Sequence, residues 1–307
     1  MTAQATMIEP ILEKKPAQFQ SDTLLVAHEL SDGSTAISQL SRTGALIQRF
    51  GVLPAPPFGV SNEFRAHLAL SGGVLFRTNG VQLNTISDFN PDGTLAATIT
   101  PSTSPQHKII PIARDLSGRS IYIVDSFAGN NVIRHLDDIL TGACSPFTVL
   151  QYPGMSGIVD MYCGGPRGHK ALYALTATSP AIVPGANYRV AKIDPKGTIE
   201  FIDNPKFTVT YLFDVGSVAV APSTGNIYVA NTSEVVELDA LGTTLNAFAF
   251  VDAKPSLDVA GDGSVYIGYF ESTTGQVDVF QAGQLVDSFH IPDATKIIDV
   301  LYVQPDF

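Results

Sequence analysis

One syntax of short strands and glycine turns recurs along almost the whole chain, and it limits the fold more than any other feature. From Val218 the sequence reads VAVAPSTGNIYVANTSEVVELDALGTTLNAFAF. This is an apolar strand, a Gly turn, a second strand (IYVA), a polar loop, a third strand (VVELD), another Gly turn and a fourth strand (LNAFAF). Each strand is apolar or β-branched, and each break carries Gly, Pro, Asn or Asp, which favour turns over extended backbone. The order returns from Leu257 (LDVAGDGSVYIGYFESTTGQVDVFQAGQLVDSFHI) and from His67 (HLALSGGVLFRTNGVQLNTISDFNPDGTLAATIT). A degenerate copy starts at Pro111, and a further variant runs from Ile158 through ALYALTA to YRVAKIDPKGTIEFI. The turns between third and fourth strands align at Gly44, Gly93, Gly142, Gly197, Gly242 and Gly283, separated by 49, 49, 55, 45 and 41 residues.

A lone four-stranded sheet cannot bury both of its faces, so units of this kind must stack on one another. Six anchors imply an all-β, six-bladed β-propeller of four-stranded antiparallel blades. The chain ends fix how the ring closes. The C-terminal KIIDVLYVQPDF is a first strand with no second, and LLVAHE, after Thr23, is a second strand with no first. Joined, VLYVQPD and TLLVAH match VAVAPSTG and NIYVA, so one blade takes three strands from the N-terminal region and one from the C-terminus. Closure of this kind removes exposed sheet edges. The expected organisation is an arm over residues 1–21, matching no blade, and a single propeller domain over 22–307. The arm is expected to dock on a neighbouring subunit or partner, within an assembly such as a virion or appendage.

The strand–turn pattern resembles NHL-type repeats and related six-bladed propellers. The residues that carry the resemblance are Asn226-Ile227-Tyr228-Val229-Ala230, Ser264-Val265-Tyr266-Ile267-Gly268, Ser120-Ile121-Tyr122-Ile123-Val124-Asp125, and the turns Asp194–Gly197 and Asp239–Gly242. It covers residues 22–307 and speaks to architecture, because such folds host hydrolases, lyases and binding modules alike. The resemblance implies one specific chemistry. Six-bladed hydrolases and lactonases hold a divalent cation in the central channel with Glu, Asn and Asp side chains. The positions at matching depth here are Asn62, Glu63, Asp125, Asn131, Asp214 and Asn231, and oxygen ligands of this kind suit calcium or another hard cation. Asp125 and Asn231 directly follow second strands, where such residues also start turns.

Composition narrows the partners. With a net charge of −11 and no Lys/Arg cluster, the chain lacks the positive surface that nucleic acids or anionic membranes require. The opening twenty residues do not read as a secretory signal, since Glu9, Pro10 and Glu13 interrupt their apolar patch. No apolar run reaches the roughly 18 residues of a membrane span. A cytoplasmic location, or one within a virion or extracellular assembly, follows as the expectation. Cys144 and Cys163 leave one bridge open, and free buried thiols are expected.

In a blade, the strand-one-to-two and three-to-four turns collect on one face of the disc, and here they are short. The other face gathers longer segments at 53–64, 101–108, 126–131, 176–188, 204–213 and 269–275. Irregular loops on a rigid scaffold carry most binding sites, and Phe58, Asn62, Glu63, His107, Asn130, Tyr188, Tyr211 and Tyr269 are the candidate contacts. The six histidines are scattered without metal-ligand spacing, and His107 is the one to test as a base. No nucleophile elbow or phosphate loop occurs. The expected function is therefore a non-catalytic binding or assembly module without a cofactor, recognising a protein or glycan partner, with a small-molecule ligand also compatible. The absence of Trp disfavours sugars. The alternative is a divalent-metal-dependent hydrolase, lactonase or lyase with its site in the channel.

Overall fold

A computed structural model describes residues 18–54, 67–79, 85–101, 108–127, 130–152, 155–178, 186–204, 208–209, 216–231, 233–250, 255–270 and 274–305. Among them there is no helix, and so none long and apolar enough to cross a membrane. Six antiparallel sheets of four strands form a ring. Blade one holds β1 (Thr23–Leu30), β2 (Thr35–Ser41) and β3 (Leu46–Leu53). Blade two holds β4 (Leu68–Ser71), β5 (Val74–Thr78), β6 (Ile86–Phe89) and β7 (Leu95–Ile99). Blade three holds β8 (Lys108–Arg114), β9 (Ile121–Phe127), β10 (Asn130–Asp138) and β11 (Ala143–Leu150).

Blade four runs through β12 (Met155–Gly164), β13 (Ala171–Thr178), β14 (Ala186–Ile193) and β15 (Ile199–Ile202), with the two-residue β16 (Thr208–Val209) also paired to β14. Blade five comprises β17 (Ser217–Val220), β18 (Ile227–Ala230), β19 (Glu234–Leu238) and β20 (Thr244–Ala249). Blade six comprises β21 (Pro255–Val259), β22 (Val265–Tyr269), β23 (Gln276–Gln281) and β24 (Gln284–His290). The last strand, β25 (Ala294–Val303), returns to complete blade one in the order β25-β1-β2-β3.

That closure has the register expected from the joined ends. Leu25 faces Leu301 and Val26 faces Val300, in antiparallel pairing. Successive side chains of a strand point to opposite faces. Both faces of every blade are covered, so the inner strands are apolar almost throughout. Leu24 and Val26 pack towards blade six, while Leu25 and Ala27 pack towards blade two. The six buried hydrophobic clusters correspond to the six junctions between neighbouring blades. At ~1.5–3 kcal/mol for each large apolar side chain withdrawn from water, these junctions are what hold the sheets in a ring.

All six anchor glycines have positive φ, between 69° at Gly142 and 87° at Gly242. At Gly44 a close approach adds to the backbone requirement, since a Cβ there would lie 2.4 Å from Phe289 Cγ of blade six. Residues 1–17 of the expected arm lie outside the described residues. Phe19 is buried in the cluster between blades one and two, with its ring centroid 6.1 Å from that of Phe50. Cys144 and Cys163 are not joined in a disulfide, and both are half-buried.

Candidate functional site

The first strand of each blade faces the ring axis, and three of these strands carry an aspartate between apolar neighbours. The three are Val159-Asp160-Met161, Leu257-Asp258-Val259 and Ile298-Asp299-Val300. All are buried. A buried carboxylate is costly unless hydrogen bonds compensate it, and here backbone N–H groups of the next blade do so. Asp160 Oδ2 accepts from the Ser217 hydroxyl at 2.7 Å and the Val218 N–H at 2.8 Å. Ser217 Oγ accepts in turn from the Leu257 N–H at 3.2 Å. Asp258 Oδ2 accepts from the Tyr302 N–H at 2.7 Å. Asp299 takes the Ser256 hydroxyl at 2.5 Å and the Leu68 N–H at 2.6 Å.

These contacts step from blade four to five, six, one and two. His67 then reaches from blade two back towards blade four, with Nδ1 3.4 Å from Asp160 Oδ1. The result is a polar belt joining the inner strands of five blades. Burial raises the pKa of Asp299, and it lifts that of Asp258 to about 7 against the hydrogen bonds from Tyr302, Val259 and Tyr162.

Between the belt and the short-turn end of the disc lies an axial cavity of about 570 Å³. Inner strands of all six blades contribute to its wall. Leu68, Ile112, Met161, Val220 and Leu301 supply apolar surface, Arg114 and Lys170 supply positive charge, and Tyr162 and Asp258 supply polar groups. Gly72, Gly73, Gly118 and Gly164, from the short turns or beside them, also line it. Burial, and then the nearby Arg114, lower the pKa of Lys170. Burial pushes the Cys163 thiol up to about 12, so it is protonated at neutral pH and makes a poor nucleophile. The cavity wall mixes polar with apolar groups, and Arg114 and Lys170 are part of it.

The long-loop face falls largely outside the described residues, and Phe58, Asn62, Glu63, His107, Tyr211 and Asp214 are among those outside. Asn130 stands opposite Phe127 in the β9–β10 hairpin. Tyr188 is buried between blades four and five. Tyr269 is buried between blades five and six and donates to Asp278 at 2.7 Å. Asp125 is buried and ion-paired with Arg134 of its own blade. Asn131 is buried on β10 of the same blade, and Asn231, in blade five, accepts the Ser233 and Glu234 N–H groups as a turn-starting residue. The structure therefore brings Asp125 and Asn131 to one hairpin and leaves Asn231 in another blade. Among the described residues, no group of three His, Cys, Asp or Glu side chains stands close enough to hold a metal ion. Sequence reasoning missed the axial aspartates, although the apolar–Asp–apolar setting recurs in three first strands. Arg114, Tyr162 and Lys170 carry no such pattern.

No protein-family model and no curated protein matches the chain. Solved structures do. A protein of unknown function from Bacteroides caccae shares 12% identity over 91% of this chain and 98% of its own, with a TM-score of 0.58. The gluconolactonase XC5397 from Xanthomonas campestris shares 14% over 92% of this chain and 89% of its own, at 0.52. The Cps50 (Swd1) β-propeller domain of Myceliophteria thermophila shares 10% over 91% and 88%, at 0.50. The architecture is that of a six-bladed β-propeller. At these identities the likeness is one of fold. It places a gluconolactonase among this propeller's structural neighbours, and it does not single out NHL-type repeats.

Proposed function

We propose that the chain is a non-catalytic binding module that recognises a protein partner, or a neighbouring subunit, through its long-loop face. The observation that carries this reading is the use made of the axial carboxylates. In a channel hydrolase such groups would be directed at a cation, whereas Asp160, Asp258 and Asp299 each accept backbone N–H groups and clasp one inner strand to another. The ring thus becomes a rigid platform from which the crossing loops project. Residues 1–17 supply a second means of attachment. The chain lacking them would keep its melting temperature and lose its assembly state in sedimentation velocity.

A second reading, a metal-dependent lactonase, is supported by the fold shared with XC5397 and by the presence of the buried Asp125 and Asn131 on the two strands of one hairpin. Glu63 and Asp214 would complete its ligand set. Incubating the full chain with calcium, magnesium, manganese or zinc separates the two readings. The binding module shows no stoichiometric metal by native mass spectrometry and no hydrolysis of a panel of aldonolactones. Tight one-to-one metal with turnover that Asp125→Ala or Glu63→Ala abolishes would overturn it.

A further inference from the structure

The inner turns of the short-turn face, which join first strands to second, are not alike in charge. Those of blades one, two, five and six, at 18–22, 72–73, 221–226 and 260–264, contain no Lys or Arg. Blade three's, at 115–120, holds Arg119, and blade four's, at 165–170, holds Arg167 and Lys170. We propose that these two neighbouring turns form a second docking surface, on which Arg119 and Arg167 take a short acidic segment of a protein partner. The surface lies on the opposite face from the one proposed above, and the argument does not depend on that reading.

Availability is the first ground. Arg119 and Arg167 are both exposed, and among the described residues neither side chain has a carboxylate partner. Elsewhere Arg42, Arg49, Arg134 and Arg189 are ion-paired with Asp262, Asp293, Asp125 and Asp203, and Arg77 is buried against Gly51 and Thr35. In a chain with 29 Asp and Glu for 18 Lys and Arg, two guanidiniums without a carboxylate on adjacent blades depart from that pattern. The acid of these turns, Asp115, is directed inward. It accepts from Ser117 at 2.5 Å and from the Arg119 and Ser120 N–H groups, and it meets His135 at 3.2 Å.

Presentation is the second ground. The backbone that carries each arginine is held in place. The Arg119 N–H donates to Asp115 Oδ1 at 2.8 Å, and the carbonyl of Gly118 accepts the Gly72 N–H of blade two at 2.8 Å. In blade four the Pro166 carbonyl accepts the His169 N–H at 2.9 Å. Pro166 also lies against blade five, where a Cβ on Gly225 would stand 2.9 Å from its Cδ. Groups on turns fixed in this way lose little freedom when they bind. The turns also converge. Gly118 lies against the Arg114 guanidinium, and the pKa of Lys170 is lowered by burial, then by Arg114 and also by Arg167.

The extent of the surface sets the class of anion. A DNA duplex carries one charge per ~1.7 Å of its axis, so it would run from these two turns onto a body whose net charge is −11. A short run of Asp or Glu ends where the two turns end, and guanidiniums pair with carboxylates through two parallel hydrogen bonds.

Isothermal titration of the full chain with a capped Glu/Ala peptide, its Gln/Ala counterpart of equal length and an oligothymidylate tests this. In low salt the Glu peptide should bind at one site, about tenfold or more tighter than the Gln peptide, and should weaken as salt is raised to about 0.3 M. Arg119→Gln and Arg167→Gln should each weaken its binding about threefold, and the double variant about tenfold, with the melting temperature unchanged because both side chains are exposed. If one variant lowers the melting temperature, the other carries the test. Equal affinity for the two peptides, unchanged binding in the folded double variant, tighter binding of the oligothymidylate, or no binding of the Glu peptide at millimolar concentration would each overturn the proposal.

Discussion

Replacing Asp299 with alanine probes the belt where it ties three blades together. Asp299 stands on β25, accepts the Ser256 hydroxyl of blade six at 2.5 Å and the Leu68 N–H of blade two at 2.6 Å, and also takes the Val300 N–H at 3.0 Å. Truncation orphans the buried Leu68 N–H, at a cost of ~1–3 kcal/mol. Ser256 loses its acceptor but still takes the Val300 N–H at 3.1 Å, so its share is about 1 kcal/mol. Removing the carboxylate also relieves the burial that raises its pKa, and that relief offsets part of the loss. The net expectation is about 3 kcal/mol. An unfolding entropy of ~2.1 cal/mol/K per residue gives about 0.6 kcal/mol/K for this chain, hence a fall in Tm of about 5 °C. Asp299→Asn keeps one acceptor oxygen and should lose less than half as much. Differential scanning calorimetry reads both. A Tm for Asp299→Ala within 1 °C of the parent's, where about 5 °C is expected, would show that the axial aspartates do not clasp the ring, and the argument that they are structural would fall with it.

Other outcomes follow from the same geometry. Asp258, raised to about 7, holds its proton longer in the folded chain than in the unfolded one, so its contribution is complete below the unfolded pKa and is lost as pH rises through 7, about 4 kcal/mol at most. His28, buried, bonded to Ser38 and lowered to about 4, acts in the opposite sense, stabilising above pH 6.5 and losing ~3 kcal/mol as pH falls to 4. Denaturant titrations should therefore give a nearly flat stability between pH 4 and 6.5, which His28→Gln turns into a decline with rising pH. A flat profile in that variant would contradict the account. Gly268→Ala would place a Cβ 2.2 Å from Ile297 Cγ2 and 2.8 Å from Val300 Cγ2, both on the closing strand. The expected loss is ~2–3 kcal/mol by thermal melting, and a neutral result would mean that β25 does not pack there as described.

Much of the fold was legible because its determinants are local. A left-handed glycine between two strands is a property of a few consecutive residues, so Gly44, Gly93, Gly142, Gly197, Gly242 and Gly283 mark the blades before any contact is known. The closure was legible for a related reason, as Val300 and Val26 each belong to half of a repeated hairpin whose complete form stands elsewhere in the chain. The axial chemistry was less accessible. Asp160, Asp258 and Asp299 each accept the N–H of the next residue, but they read as isolated acids in apolar strands until the ring brings their inter-blade partners alongside, from 43 or more positions away. Arg114, at the end of β8, and Lys170, just before β13, lie in successive blades and share a wall only because the ring brings these chain segments to one cavity. Tyr188 and Tyr269 show the converse. They flank irregular segments in the sequence, yet they sit in the inter-blade core, since residues near either end of a strand still alternate between two covered faces.

Everything about the axis presupposes that the two chain ends share one sheet. Amide hydrogen exchange of the full chain measures this directly at Leu25, Val26, Val300 and Leu301. The ring predicts exchange there as slow as in the interior strand β13. Rapid, loop-like exchange at these four amides, with β13 still protected, would contradict it.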